Sequence, residues 1–233
     1  MLKYELRSPD SLGSKDRDQL FTLMEDNYEN LNRQRFEADL DAKTGAIVLT
    51  GDQGLIRGFS TYLVYPEPDL DCRVIYSGDT IIHPDSWGSP SLFYGFGSLL
   101  KSLMAEELQG QRIFWLLLSK GFRTFGLLPL FFQHFVPHQN QAPGEPWDSL
   151  GQLRDTLASR KFGALYQAGP ALLPAGADYL NSRLAAIPDN KESNPWVRFF
   201  LDHNPDYHRG TELVCLTEIT LDNILPPARR FVR

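Results

Sequence analysis

Residues 73–92 read RVIYSGDTIIHPDSWGSPSL, and this stretch decides the fold. Its first half, residues 73–83, is rich in β-branched residues and predicts a strand. The residues that follow include two prolines and a glycine, as a tight loop does. Ser89 suits the N-cap of the next helix, and Pro90 suits its first position. The stretch therefore predicts a strand, a loop and a capped helix in direct succession.

The predicted helix runs to about residue 108 and ends at Gly110. Its apolar face is marked by Leu92, Phe96, Leu99, Leu100 and Leu103. Gly95 and Gly97 lie inside it, where a glycine costs about 1 kcal/mol relative to alanine. We interpret these two glycines as positions where another part of the chain packs closely against the helix.

The sequence before this stretch predicts a strand, two helices and a meander. Alternating or β-branched runs predict strands at residues 4–7, 46–50 and 55–65, the last two joined by a turn at 51–54. Apolar residues at helical spacing predict a helix from about residue 20 to Leu31 and a second at 34–43. With the strand at 73–83, the middle of the chain is an antiparallel meander.

The sequence after the helix predicts a buried strand and then a long excursion. Residues 112–119 are apolar on both sides, as in a central strand. Further elements are predicted as helices at 121–135, 147–160, 179–186 and 196–201 and as strands at 162–167 and 212–219. Residues 137–210 are too long for a connector, so we interpret them as a lid or an acceptor platform. The alternative is an embellishment that covers the sheet.

Composition excludes several classes of protein. The chain has 233 residues, 42% of them hydrophobic, and a net charge of −6, which argues against a nucleic-acid binder. Its two cysteines, Cys72 and Cys215, are typical of a cytoplasmic protein, and no Cys/His cluster has the spacing of a metal site. We also predict no signal peptide and no membrane span. Arg229 and Arg230 are interpreted as part of a loose basic tail.

The order of elements resembles that of the GNAT superfamily of N-acyltransferases. The resemblance rests on IIHP (Ile81–Pro84) before a loop and a capped helix, and on an apolar strand that leads into LPLFFQHF at 128–135. The stretches SGDT, LLLSKGFRTF and RGTELVCL are similar to those of an uncharacterised bacterial GNAT-like group.

The resemblance implies an α+β fold with a mixed, mostly antiparallel sheet flanked by helices. It implies one structural domain, with a core at 1–136, an insertion at 137–210, and a last strand and tail at 211–233.

The resemblance also implies an acyl-donor site. Backbone groups of Thr80, Ile81 and Ile82 would bind the pantetheine amides, since this strand holds the donor in GNAT enzymes. The phosphates would lie at the start of the helix, on Gly88, Ser89, Ser91 and Leu92.

The loop departs from the usual pattern, (Arg/Gln)-x-x-Gly-x-(Gly/Ala), because Asp85 is acidic and Pro90 has no amide hydrogen. We therefore expect either acyl-CoA or an acyl carrier protein as donor, with an acyl group longer than acetyl. Aromatic candidates to line its channel are Phe93, Tyr94, Phe96, Trp115, Phe131 and Phe132.

Three residues are candidates for catalysis by the same resemblance. Asp79 would accept the proton of the incoming amine; the alternative is a charge on the solvent face or one that fixes a turn. Ser119 would hydrogen-bond the donor or the leaving thiolate; the alternative is the N-cap of the next helix. The usual tyrosine is replaced by Phe131 and Phe132, so His134 or a water would protonate the thiolate, unless His134 is simply packed.

The resulting prediction is an N-acyltransferase in which a primary amine attacks a thioester directly. An amino acid, a polyamine, or a lysine or ornithine in a peptide would serve as acceptor. One alternative is a GNAT-shaped binding or scaffold protein that has lost catalysis. Another is a different enzyme on the same fold, using an aminoacyl carrier or making a signalling lipid. The prediction requires two adjacent strands to separate around residues 79–83.

Overall fold

The computed structural model describes residues 2–106, 110–141, 143–144 and 146–232. The strands in chain order are β1 (Lys3–Arg7), β2 (Tyr28–Glu29), β3 (Gly45–Thr50), β4 (Ile56–Glu67), β5 (Cys72–Ile82), β6 (Arg112–Ser119), β7 (Phe135–Val136), β8 (Leu172–Leu173), β9 (Tyr179–Leu180) and β10 (Glu212–Glu218). The helices are α1 (Ser14–Glu25), α2 (Arg33–Asp41), α3 (Ser91–Glu106), α4 (Phe122–Phe125), α5 (Leu127–Phe131), α6 (Trp147–Phe162), α7 (Ser182–Ala185) and α8 (Pro195–His203). The predicted end of α3, near residue 108, lies outside the described residues.

The chain forms two compact units. The first comprises Met1–Asn27, Leu31–Ile113 and Pro226–Arg233, and the second comprises Tyr28–Asn30 and Phe114–Leu225. The predicted boundaries at residues 136 and 210 remain a prediction.

The first unit is built on the antiparallel series β1, β3, β4, β5. Its strands either alternate apolar and polar residues or are wholly apolar, and Ile47, Val48 and Phe59 lose nearly all contact with water. The meander predicted from period-two patterning is confirmed, although β4 extends to Glu67 and the turn follows at Pro68–Leu70.

Helices cover both faces of this sheet. On one face α1 packs against β4 and β5, burying Leu20, Leu23 and Met24. This helix ends at Glu25, so Leu31 lies outside it, contrary to the prediction. On the other face α3 crosses β1 and β3. A Cβ at Gly95 would lie 2.4 Å from Ile47 Cγ2, which explains why glycine stands there.

The second unit is organised around β10. This strand pairs antiparallel with β6 along one edge, while on its other side it pairs with β7 through Leu216↔Val136 and with β8 through Glu212↔Leu173. The predicted buried strand and last strand are therefore adjacent and form the core of this unit. Helix α6 packs on β10 and β7, and α8 packs on α4 through Phe125, Phe199 and Phe200.

Of the predicted elements of the second unit, one is wrong and two are confirmed only in part. Residues 121–135 form two short helices and then β7, because the second helix ends at Phe131 and the chain turns extended. Residues 162–167 are not a strand; α6 continues to Phe162 and a 3-10 turn follows. Residues 179–186 begin as β9, which pairs with β2, and only Ser182–Ala185 is helical.

The predicted fold class is confirmed. Strand pairs within each unit run antiparallel and helices flank them, giving an α+β architecture with a mostly antiparallel sheet. Among the described residues, no helix combines the length and the apolar character needed to cross a membrane.

Candidate functional site in the first unit and the predicted residues of the second

A β-bulge interrupts the β4–β5 ladder at the predicted catalytic aspartate. Ser60 is opposite Thr80, but Tyr62 is opposite Ser77, so Thr61 faces both Gly78 and Asp79. A bulge bends its strand and redirects the side chains at that point, and bulges are common beside active sites. The sequence motif SGDT therefore corresponds to a real irregularity in the strand.

The register also determines the face on which Asp79 lies. The hydroxyls of Ser60 and Thr80 are 2.7 Å apart and share one face of the sheet. Since side chains alternate along a strand, Asp79 lies on the opposite face, which is that of Thr61. Asp79 is half-buried within β5, and its role stays a prediction.

The three residues predicted to hold pantetheine follow the bulge. On the β4 side the ladder continues without a gap through Phe59↔Ile81 and Gly58↔Ile82. The strands β4 and β5 therefore do not separate at residues 79–82. Backbone groups in a strand point alternately to its two edges, so half of those in this segment point away from β4.

The loop after β5 is folded back onto the strand. Trp87 donates its indole N–H to the Ile82 carbonyl at 2.8 Å while 46% of the residue stays exposed. The Asp85 amide donates to His83 Nδ1 at 3.3 Å. Gly88 has a φ of +86° and open space at its Cβ position, so the backbone needs glycine there for conformation.

The start of α3 differs in one respect from the predicted cap. The first intrahelical bond runs from the Tyr94 amide to the Pro90 carbonyl, so Pro90 is the N-cap and the helix begins at Ser91. Ser89 Oγ still accepts the Ser91 amide at 3.4 Å. The Ser91 hydroxyl is buried and donates to the Leu2 carbonyl, which leaves only the backbone of Ser91 to serve the predicted phosphate site. Leu92, also predicted there, is buried.

The C-terminal segment is docked on the first two turns of α3 rather than loose. Residues Arg229–Phe231 form a 3-10 turn, and the Phe231 ring contacts the rings of Phe93 and Tyr94 at 5.6 and 4.8 Å between centroids. A Cβ on Gly97 would lie 1.9 Å from the Phe231 carbonyl oxygen. The interpretation of this glycine as a close-packing position is confirmed, and that of a loose tail is wrong.

Ser119 ends β6 in the second unit, opposite Leu213. The residue is 0% exposed, and within the described part of the chain its hydroxyl has no hydrogen-bond partner of standard geometry. It is not a helix cap, because Gly121 holds the N-cap position of α4. Its carbonyl accepts the Asn204 side-chain amide at 3.4 Å.

His134 lies in the bend before β7 and not on a helix. Its amide donates to Asn223 Oδ1 at 2.7 Å, and its carbonyl accepts from Asn223 Nδ2 and from Thr217 Oγ1. Its ring contacts Trp147 edge-on at 5.3 Å. Ser119 lies opposite Leu213 of β10, and Thr217, which donates to the His134 carbonyl, is four residues further along the same strand. At about 3.3 Å per residue, the contact with His134 is therefore about 13 Å from Ser119. The two predicted residues of this unit are therefore not brought together.

The aromatic residues proposed to line an acyl channel are largely used in packing. Trp115 and Phe132 are both buried and meet edge-on at 5.9 Å. Phe93 and Tyr94 hold Phe231.

Neither cysteine resembles a nucleophile. Cys215 is fully buried in β10, and burial raises the pKa of its thiol to about 12. Cys72 is also buried. In the described part of the chain, no group of three or more His, Cys, Asp or Glu side chains could hold a metal ion.

Comparisons with known proteins identify similar solved structures. No protein-family model matches the sequence, and no curated protein matches it. A GNAT family N-acetyltransferase from Escherichia coli, solved in complex with CoA, is 13% identical over 51% of this chain and 63% of that one, with a TM-score of 0.38. A probable N-acyltransferase from Enterococcus faecalis is 13% identical over 57% of this chain and 33% of that one, with a TM-score of 0.42. A ribosomal-protein-alanine N-acetyltransferase from Brucella melitensis is 16% identical over 62% of this chain and 99% of that one, with a TM-score of 0.44.

These likenesses are partial. The chain spans 63% and 33% of the lengths of the first two structures, and what those proteins bind is a property of theirs. Two of these structures are named as N-acetyltransferases and the third as a probable N-acyltransferase.

Proposed function

We propose that this protein is an N-acyltransferase that moves an acyl group from a thioester donor to a primary amine. The observation that carries the proposal is the Gly78–Asp79 bulge in β5, directly before a folded loop and the start of α3. It places a half-buried carboxylate on a strand that leads into a helix N-terminus within ten residues. The carboxylate is suited to proton transfer, and the helix N-terminus is suited to binding a phosphate.

The donor would lie along the end of β5. Backbone groups of Thr80–Ile82 would bind the pantetheine amides, as one strand binds another. The phosphates would meet the backbone at Gly88, Ser89, Ser91 and Leu92. Asp85 adds a negative charge to this loop, which favours a donor with few phosphate charges. An acyl carrier protein presents a single phosphodiester and fits this loop better than the more highly charged acyl-CoA; both stay candidate donors, and we favour an acyl group longer than acetyl.

The reaction is a direct transfer. Asp79 accepts one proton from the ammonium group of the acceptor, and the amine then attacks the thioester carbonyl carbon. The tetrahedral intermediate expels the thiolate, breaking the C–S bond and forming the amide. The second proton of the nitrogen goes to the thiolate through water, so no tyrosine is required. The roles predicted for Ser119 and His134, both in the second unit, stay predictions, and these two residues lie far apart.

The acceptor would be an amino acid, a polyamine or a peptide with a lysine or ornithine side chain. We assign residues 137–210 to an acceptor platform or lid, and we place the protein in the cytoplasm. A scaffold protein without catalysis is the alternative, favoured by the phenylalanines at the tyrosine position and by the tied hydroxyl of Ser91.

Donor binding tests the proposal first. The exposed indole of Trp87 reports on the loop, so its fluorescence should change on addition of acetyl-CoA, octanoyl-CoA or an acylated carrier protein. A donor at 100 times its dissociation constant should also stabilise the fold by about 2.7 kcal/mol. Trp87→Phe is the matched control: it should lose the fluorescence change and keep the thermal shift.

Transfer is then measured as release of free thiol in the presence of an amine panel of amino acids, spermidine and a lysine peptide. Amine-dependent thiol release is the expected result. Binding without release with any amine would favour the scaffold alternative. Absence of any thermal shift with all three donors would remove the donor site itself.

A further inference from the structure

A buried lysine lies against the bulge that carries Asp79. Lys43 follows the end of α2, and its side chain is only 5% exposed. Its ammonium group donates to Asp39 Oδ1 at 2.6 Å and lies 5.3 Å from the centroid of the Tyr76 ring. These contacts connect the last turn of α2 to β5 through one side chain. Nothing in the sequence DAKTGA marks this lysine as different from a surface lysine.

The stem of Lys43 fills the space that a side chain at position 78 would need. A Cβ on Gly78 would lie 2.9 Å from Lys43 Cε and 3.5 Å from its Nζ. The same Cβ would lie 2.4 Å from Thr61 Oγ1. A larger residue at position 78 would therefore force these side chains to move, and Lys43 is one of the two groups that pack over Gly78.

Thr61 gives a second, independent observation at the same place. The residue is 1% exposed, and among the described residues its hydroxyl has no hydrogen-bond partner. A buried hydroxyl without a partner lowers stability, and such groups persist mainly where another requirement fixes the packing. Here the requirement is the bulge, because Thr61 is the residue opposite both Gly78 and Asp79.

We propose that Lys43 is a positioning residue for the catalytic aspartate: its stem wedges the Gly78–Asp79 bulge and its ammonium group ties that bulge to Asp39 of α2. The inference rests on the proposed function, in which Asp79 accepts the amine proton. Lys43 itself does not touch substrate, since its side chain is enclosed and its charge is already balanced by Asp39. It acts by holding the strand so that Asp79 keeps one direction.

The test uses Lys43→Met, which keeps most of the stem and removes the ammonium group. Asp39 is half exposed, so it can lose its ion pair to water and the variant should fold. Turnover with the most active of the three donors and the most active amine should fall about tenfold, with the KM for that donor unchanged. Lys15→Met, an exposed lysine of α1, is the matched control and should behave as the native protein.

A double-mutant cycle separates positioning from a general structural role. If Lys43 acts through Asp79, adding Lys43→Met to Asp79→Asn should cause no further loss of turnover. An equal tenfold loss in both backgrounds would overturn the inference.

Hydrogen exchange tests whether Lys43 holds the Gly78–Asp79 bulge, independently of the reaction that the protein catalyses. Exchange of the peptide spanning residues 77–80 should be faster in Lys43→Met by about fivefold, while exchange in β1 stays the same. Unchanged exchange at the bulge would overturn the inference even if turnover fell. Native turnover in Asp79→Asn with faster bulge exchange in Lys43→Met would instead show that the proposed base is wrong and that the lysine still holds the bulge.

Discussion

Replacing Gly97 by alanine should release the C-terminal turn from α3. The new Cβ would lie 1.9 Å from the Phe231 carbonyl oxygen and 2.5 Å from its carbonyl carbon. Ordinary contact needs about 3.4 Å, and the obstructing atoms are backbone, which cannot rotate away. The turn Arg229–Phe231 must therefore move off the helix.

The magnitude follows from what the turn contributes. Phe231 makes ring contacts with Phe93 and Tyr94, and each aromatic pair is worth about 0.5–1.5 kcal/mol. Exposing the half-buried Phe231 ring adds roughly 1 kcal/mol. Because alanine favours a helix over glycine by about 1 kcal/mol, the substitution also stabilises α3 by that amount. We expect a net loss of about 1–3 kcal/mol in the free energy of unfolding.

Gly151→Ala is the matched control. Gly151 lies inside α6 with nothing within 4 Å of its Cβ position, so alanine there brings the helical gain without a clash. This control should be more stable than the native protein by about 1 kcal/mol. Urea unfolding measures both variants, and hydrogen exchange of residues 226–232 reports on the turn itself.

The two measurements together can refute the reasoning. Fast exchange in the turn of Gly97→Ala, with slow exchange kept in Gly151→Ala, is the expected pattern. Equal stability of the two variants with a protected turn would show that α3 and the turn adjust to the methyl group, and that the close approach is not required.

Three further predictions concern other parts of the molecule. Asp79→Asn should keep the fold and donor binding but lower amine-dependent thiol release about 10²-fold, and native turnover in this variant would remove Asp79 as the base. Asn223→Ala should destabilise the second unit by about 3 kcal/mol or more, because this buried side chain bonds the backbone at His134 and Glu218 and the hydroxyl of Thr217; a change below about 1 kcal/mol in urea unfolding would contradict this. Cys215 should not react with a thiol reagent such as dithionitrobenzoate at pH 8 in the folded protein, since burial raises the pKa of its thiol to about 12 and the reactive thiolate is scarce below that value; rapid labelling of Cys215 before unfolding, mapped by mass spectrometry, would show that the strand opens.

The success of the sequence-based predictions depended on how local the signal was. The strands of the first unit were predicted to within about two residues, because each segment by itself shows alternating apolar and polar residues or a β-branched run. The strand predicted at residues 162–167 was wrong because a short apolar run fits a strand or a helix end equally well; in the structure α6 ends at Phe162 and a 3-10 turn follows. The helical position predicted for His134 was wrong for a similar reason, since Asn223, which hydrogen-bonds the His134 amide in the bend, lies 89 residues further along the chain.

By itself, the sequence determined the α+β class, the antiparallel meander, the strand–loop–helix succession at residues 73–106 and the need for small residues inside α3. Each of these depends on the chemistry of neighbours within a few positions.

Only the tertiary structure decided that Gly78 and Asp79 form a bulge opposite Thr61, that Lys43 is buried against it, and that Phe231 occupies the space at Gly97. These contacts join residues far apart in the chain, and a lysine or a glycine has the same local pattern whether it is exposed or packed. Burial and register arise only when the elements assemble, and here they determine what the bulge can do.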